Sequence, residues 1–309
     1  MTIILKKCLC IAACTAALVS VSGCEKNNSS LPSEISVDES GFNVSVAFPA
    51  ESCGVTLEKA PEKTVSLSPA ITEIICELGF KDKLVGISDY CDFPEGLTAA
   101  KVGSTENPNI DEILKLKPDA VFTLSALSER ETYTLNQANI AVLTAEPPKN
   151  MEGYSALYHE IAAAFYGKEQ CGDEKGTLKA VKIGADARTT MEKAAKAVQL
   201  ESFVYVTEKL AIAGADTFEG AVFSLSGTNL CKETGYVSTD NPGDTIPKYI
   251  IADDSLSSDE LAADETLSSY IYGGAEVRFV NASVFERPSA RTAEVFKELS
   301  ASSDDGQAE

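Results

Sequence analysis

The chain of 309 residues has no tryptophan, a single histidine and only five arginines. One histidine is too few for a histidine-rich metal receptor, and it leaves a nucleophilic enzyme with almost no choice of base. That residue, His159, falls in the helical stretch "YHEIAAAF", where its plain reading is a packed or solvated helix side chain. The stretch "FSLSG" lacks the leading glycine of a nucleophile elbow. An exported enzyme therefore finds no support. Basic residues are outnumbered, 26 Lys and Arg against 47 Asp and Glu, for a formal charge of −21. A nucleic-acid surface needs clustered cations and is excluded. Cysteines are present but unpatterned. Those beyond the N-terminus, Cys53, Cys76, Cys91, Cys171 and Cys231, are odd in number and contain no C-x-x-C, so neither a disulfide framework nor a zinc site is indicated.

What is present begins at the N-terminus. Lys6 and Lys7 precede an apolar run from Cys8 to Val21, too short for a permanent membrane span and shaped like a secretory signal. It ends in "VSGC", which resembles a bacterial lipobox and makes Cys24 the expected lipidated first residue of the mature chain. An ordinary cleaved signal is the alternative. Processing would remove both lysines and leave 24 basic residues against 47 acidic ones. The polar, aperiodic segment after Cys24 reads as a tether, and the acidic last residues as a flexible tail.

With 44% hydrophobic residues, the body can fill real cores. In "TVSLSPAITEIICELG" a strand ends near Ser68, a good N-cap. Pro69 suits the first helical position, and Ile71, Ile74, Ile75 and Leu78 form one stripe. Within that helix Cys76 reads as a small apolar filler. The second half repeats the plan. A strand at Phe203 to Val206 leads to Thr217 as N-cap, and Phe218, Ala221, Val222 and Leu225 form the stripe. Asp111 stands seven residues before Pro118 and the strand "DAVFT"; Asp240 stands seven before Pro247 and the strand "KYIIA". Pro242 and Gly243 forbid a regular helix after Asp240, so a turn or a much shortened helix is expected there. Between the halves there is no proline from Met151 to Phe203, and the sequence predicts a short helix followed by a long one of about 25 residues, roughly 35 to 40 Å. Gly176 and Gly184 count against an unbroken helix.

The expected organisation is a signal peptide over 1–23, a tether over 24–41, an N-terminal α/β lobe over 42–148, a helical spine over 149–200, a C-terminal α/β lobe over 201–300 and a tail over 301–309. The fold class is α/β, with two Rossmann-like lobes of mostly parallel sheet joined by the long helical spine.

The stretches "VTLEKAPEKTVSLSPAITEIICELGFKDKLVGISDYCDFPEG" and "KVGSTENPNIDEILKLKPDAVFT" resemble the N-terminal lobe of the ABC-transporter substrate-binding proteins for cobalamin, ferric siderophores or haem, nearest to the cobalamin-binding members. The resemblance implies a ligand cleft between two lobes with little hinge movement, and a lipoprotein on the outer face of the bacterial cytoplasmic membrane. It also implies delivery to a permease driven by a cytoplasmic ATPase. The chain would be a monomer that meets the membrane only through its lipid, and would carry no intrinsic cofactor, the metal chelate being cargo. In the family one surface carboxylate per lobe, usually Glu, docks on permease arginines. Asp111 and Asp240 stand at those places, with Glu112 beside the first.

For Asp111 and Glu112 the local alternative is helix capping, since Asn109 can serve as N-cap, Glu112 then takes the capping-box position, and first-turn acids suit the helix dipole. Asp240 lies where no regular helix forms, which favours docking for Asp111 and capping for Glu112. Ligands of open α/β sheets gather at strand carboxyl ends and helix N-termini. The ligand candidates are therefore Ser68, Pro69 and Ala70, then Tyr90, Thr105 and Ser125, with Thr217 and Arg291 from the second lobe. Tyr90 matches a family position against the corrin ring; Thr105 stands where the cobalamin protein has a tryptophan. Arg287 and Arg291 in "FERPSART" could enter the cleft or form a surface or interlobe salt bridge. Anionic siderophores and haem propionates are gripped by several cations, so a largely neutral corrinoid is preferred, with a hydroxamate siderophore open. A ligand-sensing or adhesive surface lipoprotein on the same fold is a further alternative.

Overall fold

The computed structural model describes residues 47–240 and 245–304, so the signal segment, Cys24 and the tether lie outside the described residues. A short antiparallel hairpin, β1 (Ala50–Ser52) and β2 (Val55–Leu57), comes first. The N-terminal lobe then runs β3 (Thr64–Ser66), α1 (Pro69–Glu77), β4 (Leu84–Ile87), β5 (Ala100–Lys101), α2 (Ile110–Leu116), β6 (Ala120–Thr123), α3 (Glu129–Gln137) and β7 (Ala141–Thr144). Its sheet is wholly parallel, in the order β5-β4-β3-β6-β7. Every residue of β3 and β6 is buried, as central parallel strands covered on both faces require. The expected stripe is real: Ile71, Ile74 and Ile75 on α1 are fully buried.

Two antiparallel-connected helices, α4 (Met151–Tyr166) and α5 (Lys179–Lys196), follow, with the bridge Gln170–Leu178 pinning the link between them. Their lengths correct the expected long helix. The spine is a pair of helices of 16 and 18 residues, each about 24 to 27 Å. Gly167 and the segment around Gly172 and Gly176 end the first helix and turn the chain. Gly184 sits inside α5, where a Cβ would fall 2.4 Å from the Ser155 carbonyl oxygen of α4. The glycine that weakens the helix locally is what allows the two helices to touch.

The C-terminal lobe comprises β8 (Glu201–Val206), β9 (Ala211–Ala213), α6 (Phe218–Phe223), β10 (Gly227–Asn229), β11 (Tyr236–Ser238), β12 (Tyr249–Asp253), α7 (Ser258–Ala263), α8 (Glu265–Tyr272), β13 (Glu276–Val280), α9 (Ser283–Glu286) and α10 (Glu294–Asp304). Strands β10, β12 and β13 pair in parallel, but β9 turns back beside β8 and β11 pairs antiparallel with β9. This sheet is therefore mixed. A tight turn at Thr207–Leu210 sends the chain straight back, where the first lobe goes directly into a helix. The repeat survives in the last three strands: β3-β6-β7 and β8-β12-β13 have the same order and sense.

One apolar core crosses the whole body. It includes Ile74 and Phe122 of the first lobe, Tyr154 and Ile161 of α4, and Phe203, Phe223 and Phe285 of the second. The described residues accordingly form one compact unit. An interface this apolar resists the relative motion that polar domain contacts permit.

Candidate functional site

In the first lobe the chain leaves β3 toward β4 on one side and returns on the other side at β6, so the switch point lies between the carboxyl ends of β3 and β6. Crevices form there because the two connections diverge. Leu67 and Ser68 leave one strand and Ser125 the other. The Thr105 hydroxyl donates to the Leu67 carbonyl at 3.2 Å, and the buried Thr123 hydroxyl lies 3.2 Å from Thr105 Oγ1 and 2.8 Å from the Ser125 carbonyl. The structure thus brings Ser68, Thr105 and Ser125 to one place, with Pro69 and Ala70 opening α1 above it. Ser68 holds the N-cap position, yet its hydroxyl makes no cap bond; instead its carbonyl accepts from Ser66 Oγ at 2.9 Å and Thr72 Oγ1 at 3.0 Å.

Tyr90 stands on the β4–β5 loop, 66% exposed. The loop itself is fixed: the Lys101 ammonium donates to the carbonyls of Ser88, Asp89 and Cys91, and the Tyr90 N–H donates to Ser88 Oγ at 3.3 Å. From the second lobe, Arg287 donates to the Tyr90 carbonyl at 3.2 Å and forms an ion pair with Asp92. No expectation attached to Asp92 or Lys101. Asp92 is 195 residues from Arg287 in the chain, and nothing local signals the pair.

Arg291 takes the salt-bridge alternative. Its guanidinium lies 3.2 Å from Glu73 on α1 and stacks over the Phe93 ring at 4.5 Å. Ser289 Oγ donates to the other Glu73 oxygen at 2.6 Å, and the Ala290 N–H donates to Glu77. Arg291 is thus a strut between the lobes. Thr217 is also occupied: buried, it accepts from the Gly220 N–H at 3.1 Å and donates to the Gly214 carbonyl at 2.8 Å. Its role as N-cap of α6 leaves the hydroxyl no free hydrogen.

Glu73 is 1% exposed, and burial raises its carboxyl above the ordinary value of 4.5 against the opposing pull of Ser289 and Arg291. A raised acid binds more protons folded than unfolded. Its stabilising contribution is complete below about 4.5 and is lost as pH rises through the raised value. Glu73→Gln keeps an acceptor for Ser289 and removes the buried charge. Its melting temperature relative to the parent protein is expected to be highest at neutral pH, with the advantage shrinking toward pH 4. Thermal denaturation across that range checks this, and an advantage that grows on acidification would contradict it.

Asp111 is exposed in the first turn of α2 and makes no hydrogen bond or ion pair among the described residues. Glu112 behaves differently from the expected capping box. Its N–H is capped by Asn109 Oδ1 at 3.1 Å, but its carboxylate turns to Lys115 at 2.9 Å, so the reciprocal bond is missing. Asp240 follows β11 in a turn and accepts from Ser238 Oγ at 2.8 Å. Both acids follow an edge strand, β5 in one sheet and β11 in the other, each on the same side of the repeated three-strand unit.

A cavity of 590 Å³ lies beside the hairpin turn at Cys53, the end of β7 and the first turns of α4, away from the switch point. The five thiols of the described residues are free, and no cluster of His, Cys, Asp or Glu among those residues could hold a metal. The Cys76 thiol is pushed up to about 11, mainly by burial, which suits a packing role rather than a reactive one.

The profile of the periplasmic binding proteins matches residues 64–223, just over half of the chain. The chain belongs to that family. Its members here are solute-binding proteins, and the protein is not an enzyme. An ABC transporter substrate-binding lipoprotein of Bacillus subtilis, YvrC, is 27% identical over 234 residues, 73% of each chain. The vitamin B12-binding protein of Vibrio cholerae is 30% identical over 172 residues, 54% of this chain and 59% of that one. The solved structure of the periplasmic vitamin B12 binding protein of Vibrio cholerae covers 81% of this chain and 99% of its own, with a TM-score of 0.57 at 22% identity. A periplasmic haem binding protein of the same organism superposes as well, with a TM-score of 0.60 at 17% identity over 80% of this chain and 99% of that one. These two structural likenesses bear on the fold alone.

Proposed function

We infer that the protein is the extracytoplasmic substrate-binding component of an ABC importer, capturing a metal chelate between its lobes and delivering it to a permease with its cytoplasmic ATPase. A corrinoid is the favoured cargo. The observation that carries this reading is the convergence of Ser68, Thr105 and Ser125 at the switch point, in a chain of this family, with an exposed tyrosine on the braced loop that follows the neighbouring strand β4. Pro69, which has no N–H, opens α1, so the first N–H groups of the helix are those of Ala70 and Ile71, and no side chain caps them. They can donate to ligand amides or phosphate.

Tyr90 supplies the flat apolar face. With two thirds of its surface open, it can cover a macrocycle, and the lack of tryptophan makes it the main aromatic on that loop with Phe93. Arg291 and Thr217 are left out of the contact set because the Arg291 charge is paired with the buried Glu73 and the Thr217 hydroxyl is spent on capping α6. Asp111 and Asp240 are assigned to permease docking, one exposed acid per lobe, with Glu112 serving its own helix. Lipidation at Cys24 would hold the protein at the outer face of the membrane, and the likeness to a lipoprotein supports this.

Titration of the full chain with cyanocobalamin, haemin and a ferric hydroxamate, followed by tyrosine fluorescence, tests the reading. Cyanocobalamin is expected to bind most tightly, and Tyr90→Ala to weaken it roughly tenfold, the size of one aromatic contact. Equal affinity in Tyr90→Ala would remove Tyr90 from the site.

A further inference from the structure

Three cations border the Tyr90 loop, and each has a partner. Lys101 is held by three backbone carbonyls, Arg291 by the buried Glu73 and the Phe93 ring, and Arg287 by Asp92 and the Tyr90 carbonyl. The three pairings differ in what they do besides neutralise charge. The carbonyls shape the loop, and Glu73 ties α1 to the second lobe. Asp92 also reaches the second lobe, but from solvent: its side chain is 68% exposed, and among the described residues its one interaction is with Arg287, which is only 21% exposed. A solvated carboxylate in that position contributes little to stability. Its effect falls on the guanidinium, which stands beside the tyrosine assigned to the ligand.

We propose that Asp92 is a specificity-determining residue: by occupying Arg287 it withholds from the cleft the guanidinium that would grip an anionic chelate. This rests on the reading of Tyr90 and the switch point as the ligand site. A guanidinium offers two parallel N–H donors to a carboxylate, and bidentate pairing is its strongest mode. Asp92 takes one hydrogen of Nη1 and neutralises the cation, and the Tyr90 carbonyl takes one hydrogen of Nη2, so the guanidinium is charge-compensated and anchored at both terminal nitrogens. Replacing the Asp92 carboxylate by an amide leaves a neutral acceptor that no longer compensates the cation, so a ligand carboxylate can displace it from Nη1 while the Tyr90 carbonyl keeps the group in place. The cleft would then accept ligands bearing peripheral carboxylates, and a ligand without them would gain nothing.

The test compares the parent protein, Asp92→Asn and the double variant Asp92→Asn with Arg287→Gln. Each full chain is titrated with haemin, haemin dimethyl ester and cyanocobalamin. Asp92→Asn is expected to raise haemin affinity roughly ten- to hundredfold, the range of one charge-assisted bond to a carboxylate. The ester and cyanocobalamin should change by less than about threefold, the error of such comparisons against a tenfold step. The double variant should lose the gain. Unchanged haemin affinity in Asp92→Asn, a gain shared by the ester, or a gain that persists without Arg287 would each overturn the proposal. If the parent protein binds none of the chelates, the chelate reading fails first and this inference falls with it. Cyanocobalamin binding with an unaltered haemin ratio sinks this inference alone.

Discussion

Charge reversal at both acids, Asp111→Lys with Asp240→Lys, is expected to lower uptake by a reconstituted transporter at least about a hundredfold while ligand affinity stays within a factor of two. Truncating one partner of an interfacial charge pair costs about 2 to 5 kcal/mol, and reversal adds repulsion at both contacts. The two residues suit this test because neither supports the fold. Among the described residues Asp111 is exposed and unpaired, and Asp240 bonds only to Ser238. Each single reversal should lose part of the activity, since the other lobe would still present its acid. Transport in vesicles, together with equilibrium binding of the same ligand, separates docking from capture. Uptake by the double variant at the parental rate would show that the permease is engaged elsewhere.

Gly184→Ala is expected to destabilise the protein by roughly 1 to 3 kcal/mol, although alanine is worth about 1 kcal/mol more than glycine in an ordinary helix interior. The sign inverts because the new Cβ would meet a backbone oxygen of α4, Ser155 O, at 2.4 Å, with Ser155 Oγ at 3.1 Å and His159 Cβ at 3.3 Å. A flexible side chain can move aside; the carbonyl of a packed helix cannot do so without shifting α4. That helix carries Tyr154 and Ile161 in the core shared by both lobes. The displacement is therefore felt on both sides. A fall in melting temperature of several degrees in a single transition is the expected result for a chain of this size. An unchanged or higher melting temperature would mean that the helices do not approach this closely.

Residue periodicity made much of the first lobe legible. Ser68, Pro69 and the isoleucine stripe of α1 are local signals, and a local signal suffices where a strand passes directly into a helix. The second lobe was harder for a physical reason. "VTEKLAIAG" contains a turn of four residues, and three-residue strands such as β9 and β11 leave no alternation to read, so the antiparallel return and the mixed sheet were hidden. Gly184 was visible as a helix-weakening residue, but its reason lies on another helix. The same limit applies to the site. Thr105 and Ser125 follow from the rule that loops at strand carboxyl ends carry ligands. The Arg287–Asp92 and Arg291–Glu73 pairs join residues about 200 positions apart, and composition alone cannot choose their partners. Glu112 was placed correctly at the start of α2, yet its carboxylate prefers Lys115 one turn on to the N-cap behind it.

The central claim is that the cleft at the switch point captures a metal chelate. Direct calorimetric titration of the purified full chain with cyanocobalamin, haemin and ferric hydroxamates measures it most plainly. One saturable site with a dissociation constant below about 10 μM, some −7 kcal/mol, is expected for at least one of these, tightest for the corrinoid. Absence of saturable binding by every one of them, in a protein whose thermal unfolding shows it to be folded, would contradict the account.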